Sequence, residues 1–231
     1  MKLGDGNFIK AALTPEQDRD AIKDQLARLD FACLRVRYSG VLWDKYLNFE
    51  KFVPFNVRLC RQIGLHNLPP QRILDIGCGG GLFMFCARYY GHYPIGLDVE
   101  NELLAAMADK FAVDRRIGPI YPFQPAPIQG EFDLISCIGT VFDWYFDSSG
   151  NVTGPWSSQE WTFFLSDLRR LLKRNGRVYL RLNKGADAKA KSEFFYDENL
   201  RLAFAQGNLR SSEILFDLSG LDLAIDRLGN G

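Results

Sequence analysis

The run Ile73-Leu74-Asp75-Ile76-Gly77-Cys78-Gly79-Gly80-Gly81-Leu82-Phe83 constrains this chain more than any other stretch, because an apolar strand enters a turn with four glycines and leaves it as an apolar helix. Glycine lets the backbone adopt positive φ and approach a ligand closely, and the helix that follows presents unpaired N–H groups to a negative or polar group. Such a turn is expected at the carboxyl end of a strand in an open α/β sheet, where the chain reverses direction across the sheet. The chain on either side obeys the same grammar. Strands are predicted at Arg72–Ile76, Tyr93–Asp98, Ile117–Ile120 (a weak one), Phe132–Cys137 and Arg177–Leu182, with helices at Gly81–Tyr90, Glu102–Phe111 and Ser158–Leu172 between most of them. Strands and helices alternating at this spacing imply an α/β, doubly wound, mostly parallel sheet with helices on both faces.

Spacing decides what the glycine turn is suited to hold. The dinucleotide fingerprint G-x-G-x-x-G/A fails in both registers, because its third position falls on Leu82 or on Met84. The pattern present is D-x-G-x-G-x-G from Asp75 to Gly81, and Gly96-Leu97-Asp98 closes the second strand. Together these resemble the first motif and the acidic strand end of class I S-adenosylmethionine-dependent methyltransferases, over about Gln71 to Asn183. The resemblance implies a Rossmann-like methyltransferase fold and S-adenosyl-L-methionine as cofactor. It implies further that Gly77, Gly79 and Gly81, with Cys78 among them, line the methionine end and that Asp75 helps to hold the amino group. Asp98 would then accept hydrogen bonds from both ribose hydroxyls, with Val99 beside it and Cys137 at the neighbouring strand end. The plain alternatives are a tight strand-to-helix turn and an aspartate that caps the helix starting near Glu102. Glu131 to Cys137 is similar to the family's fourth strand, and Leu168 to Leu182 to its helix-turn-fifth strand, with Asn175-Gly176 as the turn. Many relatives carry a carboxylate after the third strand, against the adenine; Ile117 to Gln124 has none, so no adenine contact is assigned.

Chemistry on a methyl donor requires an aligned acceptor and, where the acceptor carries a proton, a base. The acceptor is expected beyond the fourth strand, where Ile138 to Tyr145 sets Asp143 among aromatic residues, and Asp143 is the candidate catalytic base; a turn-capping role is the competing reading. His66 and His92 are expected at the surface. Cys78 and Cys137 are expected to be small residues in tight places rather than nucleophiles. No carboxylate cluster marks a metal site, and none is expected.

Ahead of this core, Thr14-Pro15-Glu16 signals a helix start, with Ile22, Leu26 and Leu29 on one face to about Leu29. Phe31 to Leu65, rich in Tyr38, Trp43, Tyr46, Phe49, Phe52 and Phe55, is expected to form one or two helices broken near Pro54. Residues 1–68 are thus an N-terminal helical cap and residues 69–231 the cofactor-binding core, packed as one unit. The longest loop, Phe146 to Trp156, is the candidate lid. Toward the end of the chain Glu198–Leu209 and Ser211–Leu218 are expected to be helical and Leu221–Arg227 a strand. One closing strand is then missing, and the exposed edge leaves homodimerisation open.

Lys+Arg and Asp+Glu balance at 28 each, so no excess positive charge points to a phosphate backbone, and no nucleic-acid partner is expected. A small-molecule O or N acceptor is the favoured substrate; a macromolecular (protein or RNA) acceptor, or a non-catalytic protein of this fold acting through partners, are the alternatives. The first twenty residues carry no apolar signal-peptide core and no 18-residue apolar run follows, so neither export nor membrane insertion is expected. The five cysteines lack zinc-site spacing and are expected to be reduced thiols, which suits the cytoplasm.

Overall fold

The structure, a computed structural model, describes residues 13–41, 44–146, 148–149, 152–181, 198–210 and 213–230. Three helices precede the sheet: α1 (Pro15–Ala27), α2 (Ala32–Arg37) and α3 (Phe49–Gln62), with a 3₁₀ turn at Asp44–Leu47. Thr14 and Gln17 form a reciprocal capping box with Pro15 in the first turn, and α1 turns Asp18, Ile22 and Leu26 inward. The expected break at Pro54 does not occur. Proline lacks one N–H donor, so it forgoes a single bond to the Glu50 carbonyl, and α3 continues because its inner face buries Val53, Val57 and Cys60.

The core follows as β1 (Arg72–Ile76), α4 (Leu82–Tyr89), β2 (Tyr93–Asp98), α5 (Glu102–Phe111), β3 (Asp114–Ile117), β4 (Phe132–Ile138), α6 (Ser158–Leu171) and β7 (Leu172–Arg181). A short antiparallel hairpin, β5 (Trp144–Phe146) with β6 (Val152–Pro155), stands between β4 and α6. Its second strand takes up Val152–Pro155 of the loop expected from Phe146 to Trp156, and residues 147, 150 and 151 of that stretch lie outside the described residues. The chain then runs through α7 (Glu198–Phe204), β8 (Asn208–Arg210), β9 (Glu213–Phe216) and α8 (Leu218–Gly229). The sheet order is β3-β2-β1-β4-β7-β9-β8, parallel from β3 to β7 and antiparallel through β9 and β8. This is the expected doubly wound, mostly parallel sheet. Leu74 and Ile76 face Trp156, Trp161 and Phe164 and the helices α6, α7 and α8, whereas Ile73, Leu134 and Tyr179 face α1, α3, α4 and α5. Asp18 ties the N-terminal helix to this second layer, accepting from Arg61 at 2.6 Å and from the Tyr90 hydroxyl at 2.7 Å.

Four expectations need correction here. The third strand is Asp114–Ile117, earlier than Ile117–Ile120, because Gly118-Pro119 ends it and its partly polar sequence suits an exposed edge. Asn175-Gly176 does not separate a helix from a strand; it lies in β7, where the register with β4 shifts between Phe132 and Leu134. Beyond β7 the assignments of strand and helix exchange places. Residues 213–216 form a strand with Ile214 and Phe216 buried, and Leu218–Gly229 is a helix capped by Asp217. Leu221, Leu223 and Ile225 alternate as a strand would, yet the buried set is Leu221, Ala224 and Leu228, the spacing of a helix, and Leu223 is exposed. The closing antiparallel strands are present, which removes the missing-strand argument for a dimer. Leu182, at the end of the predicted fifth strand, and Trp43 lie outside the described residues.

Candidate functional site

The site is built where β1 separates β2 on one side from β4 on the other, the switch point at which an open α/β sheet leaves a crevice beyond its strand ends. Asp75 is level with Gly96 of β2 and Ser136 of β4, and Ile76 with Cys137, so the sheet register gathers residues far apart in sequence. After Ile76 the loop leans on β2, its Gly77 and Cys78 amides donating to the Leu97 carbonyl at 2.8 and 3.2 Å. Gly77, Gly79 and Gly81 all have positive φ. A Cβ at Gly77 would collide with the Thr140 methyl at the end of β4, and one at Gly81 would lie 2.6 Å from Val113 Cγ2. At Gly79 a Cβ would meet nothing within 4 Å. The loop is therefore packed from behind at both ends and open at its centre, as a cradle for a ligand must be.

Asp98 does not cap the following helix; Asn101 does. Its carboxylate instead accepts from the Gly79 amide at 2.5 Å and from the Val99 amide at 2.7 Å, which binds the end of β2 to the centre of the loop. The Val99 side chain is 53% exposed and Ile117, at the end of β3, is 57% exposed, so an apolar shelf borders the carboxylate. Asp75 is buried and accepts from the Ser136 hydroxyl at 2.7 Å; burial raises its pKa to about 7 despite that bond. Cys78 and Cys137 are buried, and burial pushes both thiols up, away from the thiolate form that a nucleophile needs.

Thr140 and Asp143 are both buried at the end of β4, and the Thr140 hydroxyl and Asp143 Oδ1 have no hydrogen-bond partner among the described residues. Burial raises the Asp143 pKa to about 7. The Asp143 carbonyl accepts from the Trp156 amide at 2.8 Å, which fixes the entry to the β5–β6 hairpin. Trp156 and Trp161 belong to the core with Phe142 and Phe164, whereas Tyr145 and Phe146 on the hairpin are exposed. His92 is a correction: it is buried, with Nδ1 accepting from the Gln71 amide at 3.0 Å and Nε2 2.7 Å from the Leu65 carbonyl, so it joins the pre-strand linker to β2. His66 is half-buried rather than on the open surface. No group of three or more His, Cys, Asp or Glu that could hold a metal occurs among the described residues, and none of their helices is long and apolar enough to cross a membrane.

Two site residues have no counterpart among the sequence expectations: Arg115 of β3 reaches the glycine loop, and Thr140 packs against Gly77. Neither carries a sequence signal, because Arg115 lies outside the strand expected at Ile117–Ile120 and meets the loop only through the β2–β3 register. Tyr46, one of the aromatics of the N-terminal segment, has its hydroxyl pKa raised by burial and by the nearby Asp98 charge.

Residues 74–180 match a family model described as a methyltransferase domain. Among curated proteins the chain is similar to the 18S rRNA (guanine-N(7))-methyltransferase of Mus musculus, 30% identical over 146 residues that cover 60% of this chain and 50% of that protein. It is similar also to the ubiquinone biosynthesis O-methyltransferase of Burkholderia thailandensis, 26% identical over 155 residues covering 63% of each. The chain thus spans between half and two thirds of the length of these relatives. Among solved structures, the PH0226 protein from Pyrococcus horikoshii OT3 aligns with a TM-score of 0.45 at 18% identity, covering 76% of this chain and 81% of that one.

Proposed function

We propose that this chain, whose residues 74–180 match a methyltransferase domain model, is an S-adenosylmethionine-dependent methyltransferase acting by in-line displacement on a small-molecule O or N acceptor. The observation that carries the reading is the joint placement of an open glycine loop and a carboxylate on one crevice, with Gly79 and Asp98 in direct hydrogen bond. S-adenosylmethionine supplies, when bound, a methyl group on a sulfonium centre that an acceptor lone pair can attack. Asp98 holds the ribose, because a carboxylate already accepting from two amides keeps free lone pairs for two neighbouring hydroxyls. Gly77, Cys78, Gly79 and Gly81 hold the methionine end, and Val99 offers its apolar side to the base. Asp75 meets the amino group, and a cationic partner draws its carboxyl back to the ionised form. Cys137 closes the floor at the end of β4.

Asp143 is assigned as the base. Its buried, unpartnered Oδ1 and its pKa near neutrality suit removal of a proton from an acceptor hydroxyl or amine at the same strand end. The exposed Val141, Tyr145 and Phe146 beside it favour an acceptor with an apolar body. A second reading, an RNA acceptor, is favoured by the similarity to the rRNA methyltransferase, which runs against the expectation from net charge that nucleic acid is disfavoured. The purified protein should be given methyl-labelled S-adenosylmethionine with separate small-molecule, RNA and protein fractions. Label in the small-molecule fraction supports the proposal, label confined to RNA replaces it with the second reading, and label nowhere refutes both.

A further inference from the structure

We propose that Arg115 is a positioning residue for the cofactor cradle, holding the glycine loop and the end of β2 in binding geometry while Asp98 engages the ligand; this rests on the cofactor reading above. Arg115 lies on β3, level with Gly96 of β2. Its guanidinium donates from Nε to the Gly79 carbonyl at 3.0 Å and from Nη2 to the Val99 carbonyl at 2.5 Å. Asp98 treats the same two residues in the complementary way, accepting from the amides of Gly79 and Val99. Each of these residues therefore has its N–H held by Asp98 and its C=O held by Arg115. The four residues close a ring around the mouth of the cradle.

The ring matters because little else holds its centre: besides Asp98 and Arg115, Gly79 has among the described residues a long contact from the Cys78 thiol to its carbonyl, 3.8 Å. Gly79 has φ +56° and a Cβ placed there would touch no atom within 4 Å, so packing does not restrain it. When Asp98 turns part of its accepting capacity to ligand hydroxyls, the amide bonds are shared or lost; the base of the loop stays tied to β2 through the Leu97 carbonyl, and Arg115 is what then ties Gly79 at the loop's centre to Val99 at the strand end. Arginine suits this role because a planar guanidinium presents several donors in fixed directions and stays charged, whereas a lysine ammonium is one flexible point of contact. A cradle fixed beforehand spares the ligand the cost of ordering it.

The test compares wild type, Arg115→Met and Arg115→Lys by calorimetric titration with S-adenosylhomocysteine, by urea unfolding, and by amide exchange in the absence of ligand. Arg115→Met should bind about tenfold more weakly, since ordering the loop then falls on binding, with the unfolding midpoint nearly unchanged and faster exchange at the Gly79 and Val99 amides. Arg115→Lys should recover part of the affinity by keeping one carbonyl contact. Binding by Arg115→Met within twofold of wild type, or a loss of affinity matched by a general loss of stability, overturns the proposal. If wild type itself does not bind, the cofactor reading and the positioning role that rests on it fall together, and the exchange data show separately whether Arg115 restrains the loop.

Discussion

Replacing Gly77 by alanine tests the packing that places the cradle against β4. Gly77 has φ +73°, a conformation that costs an L-residue about 1–2 kcal/mol. The new Cβ would overlap Thr140 Cγ2 and sit 3.2 Å from Thr140 Cβ. Thr140 is buried at the strand end and has little room to withdraw, so the crowding adds about 1–3 kcal/mol. The sum, about 2–5 kcal/mol, is a large part of the 5–15 kcal/mol typical of a folded domain. Thr140→Ser removes the offending methyl group and by itself should cost about 1 kcal/mol. The double variant should therefore be more stable than the two single losses add up to, by roughly the crowding contribution of 1–3 kcal/mol. Gly79→Ala, with positive φ but open space, is the control and should lose only about 1–2 kcal/mol. Urea unfolding followed by circular dichroism measures all four. Equal losses for Gly77→Ala and Gly79→Ala, or additivity within about 0.5 kcal/mol in the double variant, would refute the argument.

Two further outcomes follow from buried carboxylates. Asp18→Ala should destabilise the chain by about 3 kcal/mol in urea unfolding, because it leaves Arg61 and the Tyr90 hydroxyl without their shared acceptor; a change below about 0.5 kcal/mol would show that α1 is not anchored there. Asp75 and Asp143 both have folded pKa values raised from 3.8 to about 7. The folded state holds these protons while the unfolded chain releases them, so each group lowers stability as pH rises from about 4 to about 7, by about 1.4 kcal/mol per pH unit, with no further change above. Asp75→Asn and Asp143→Asn should each flatten the stability–pH curve relative to wild type in that window; curves that remain parallel would remove the buried-carboxyl description.

The cradle was legible in sequence because it is local: strand, glycines and helix are contiguous, and Asp98 ends the next strand. The same holds for Asp75, which lies in the strand just before the loop, and the parallel order follows from βα alternation, whereas Cys137 comes beside Ile76 only through the β1–β4 register. Arg115 and Thr140 were not legible, since each acts on the loop across the sheet register, a relation that exists only once β3 and β4 are aligned. The C-terminal exchange of strand and helix has another cause. Leu221-Asp222-Leu223-Ala224-Ile225 satisfies both periods over five residues, and burial against α6 and α7, which tertiary packing supplies, decides for the helix. His92 was misplaced because a turn between helix and strand usually lies at the surface, whereas here its ring joins the Gln71 amide to the Leu65 carbonyl inside.

The most direct measurement is calorimetric titration of the protein with S-adenosylmethionine and S-adenosylhomocysteine, beside NAD, in wild type and Asp98→Ala. The account predicts saturable binding of the first two, none of NAD, and at least tenfold weaker binding in the variant, the scale expected when hydrogen bonds to a charged group are lost. Absence of binding by wild type, or an affinity unchanged in Asp98→Ala, would contradict it.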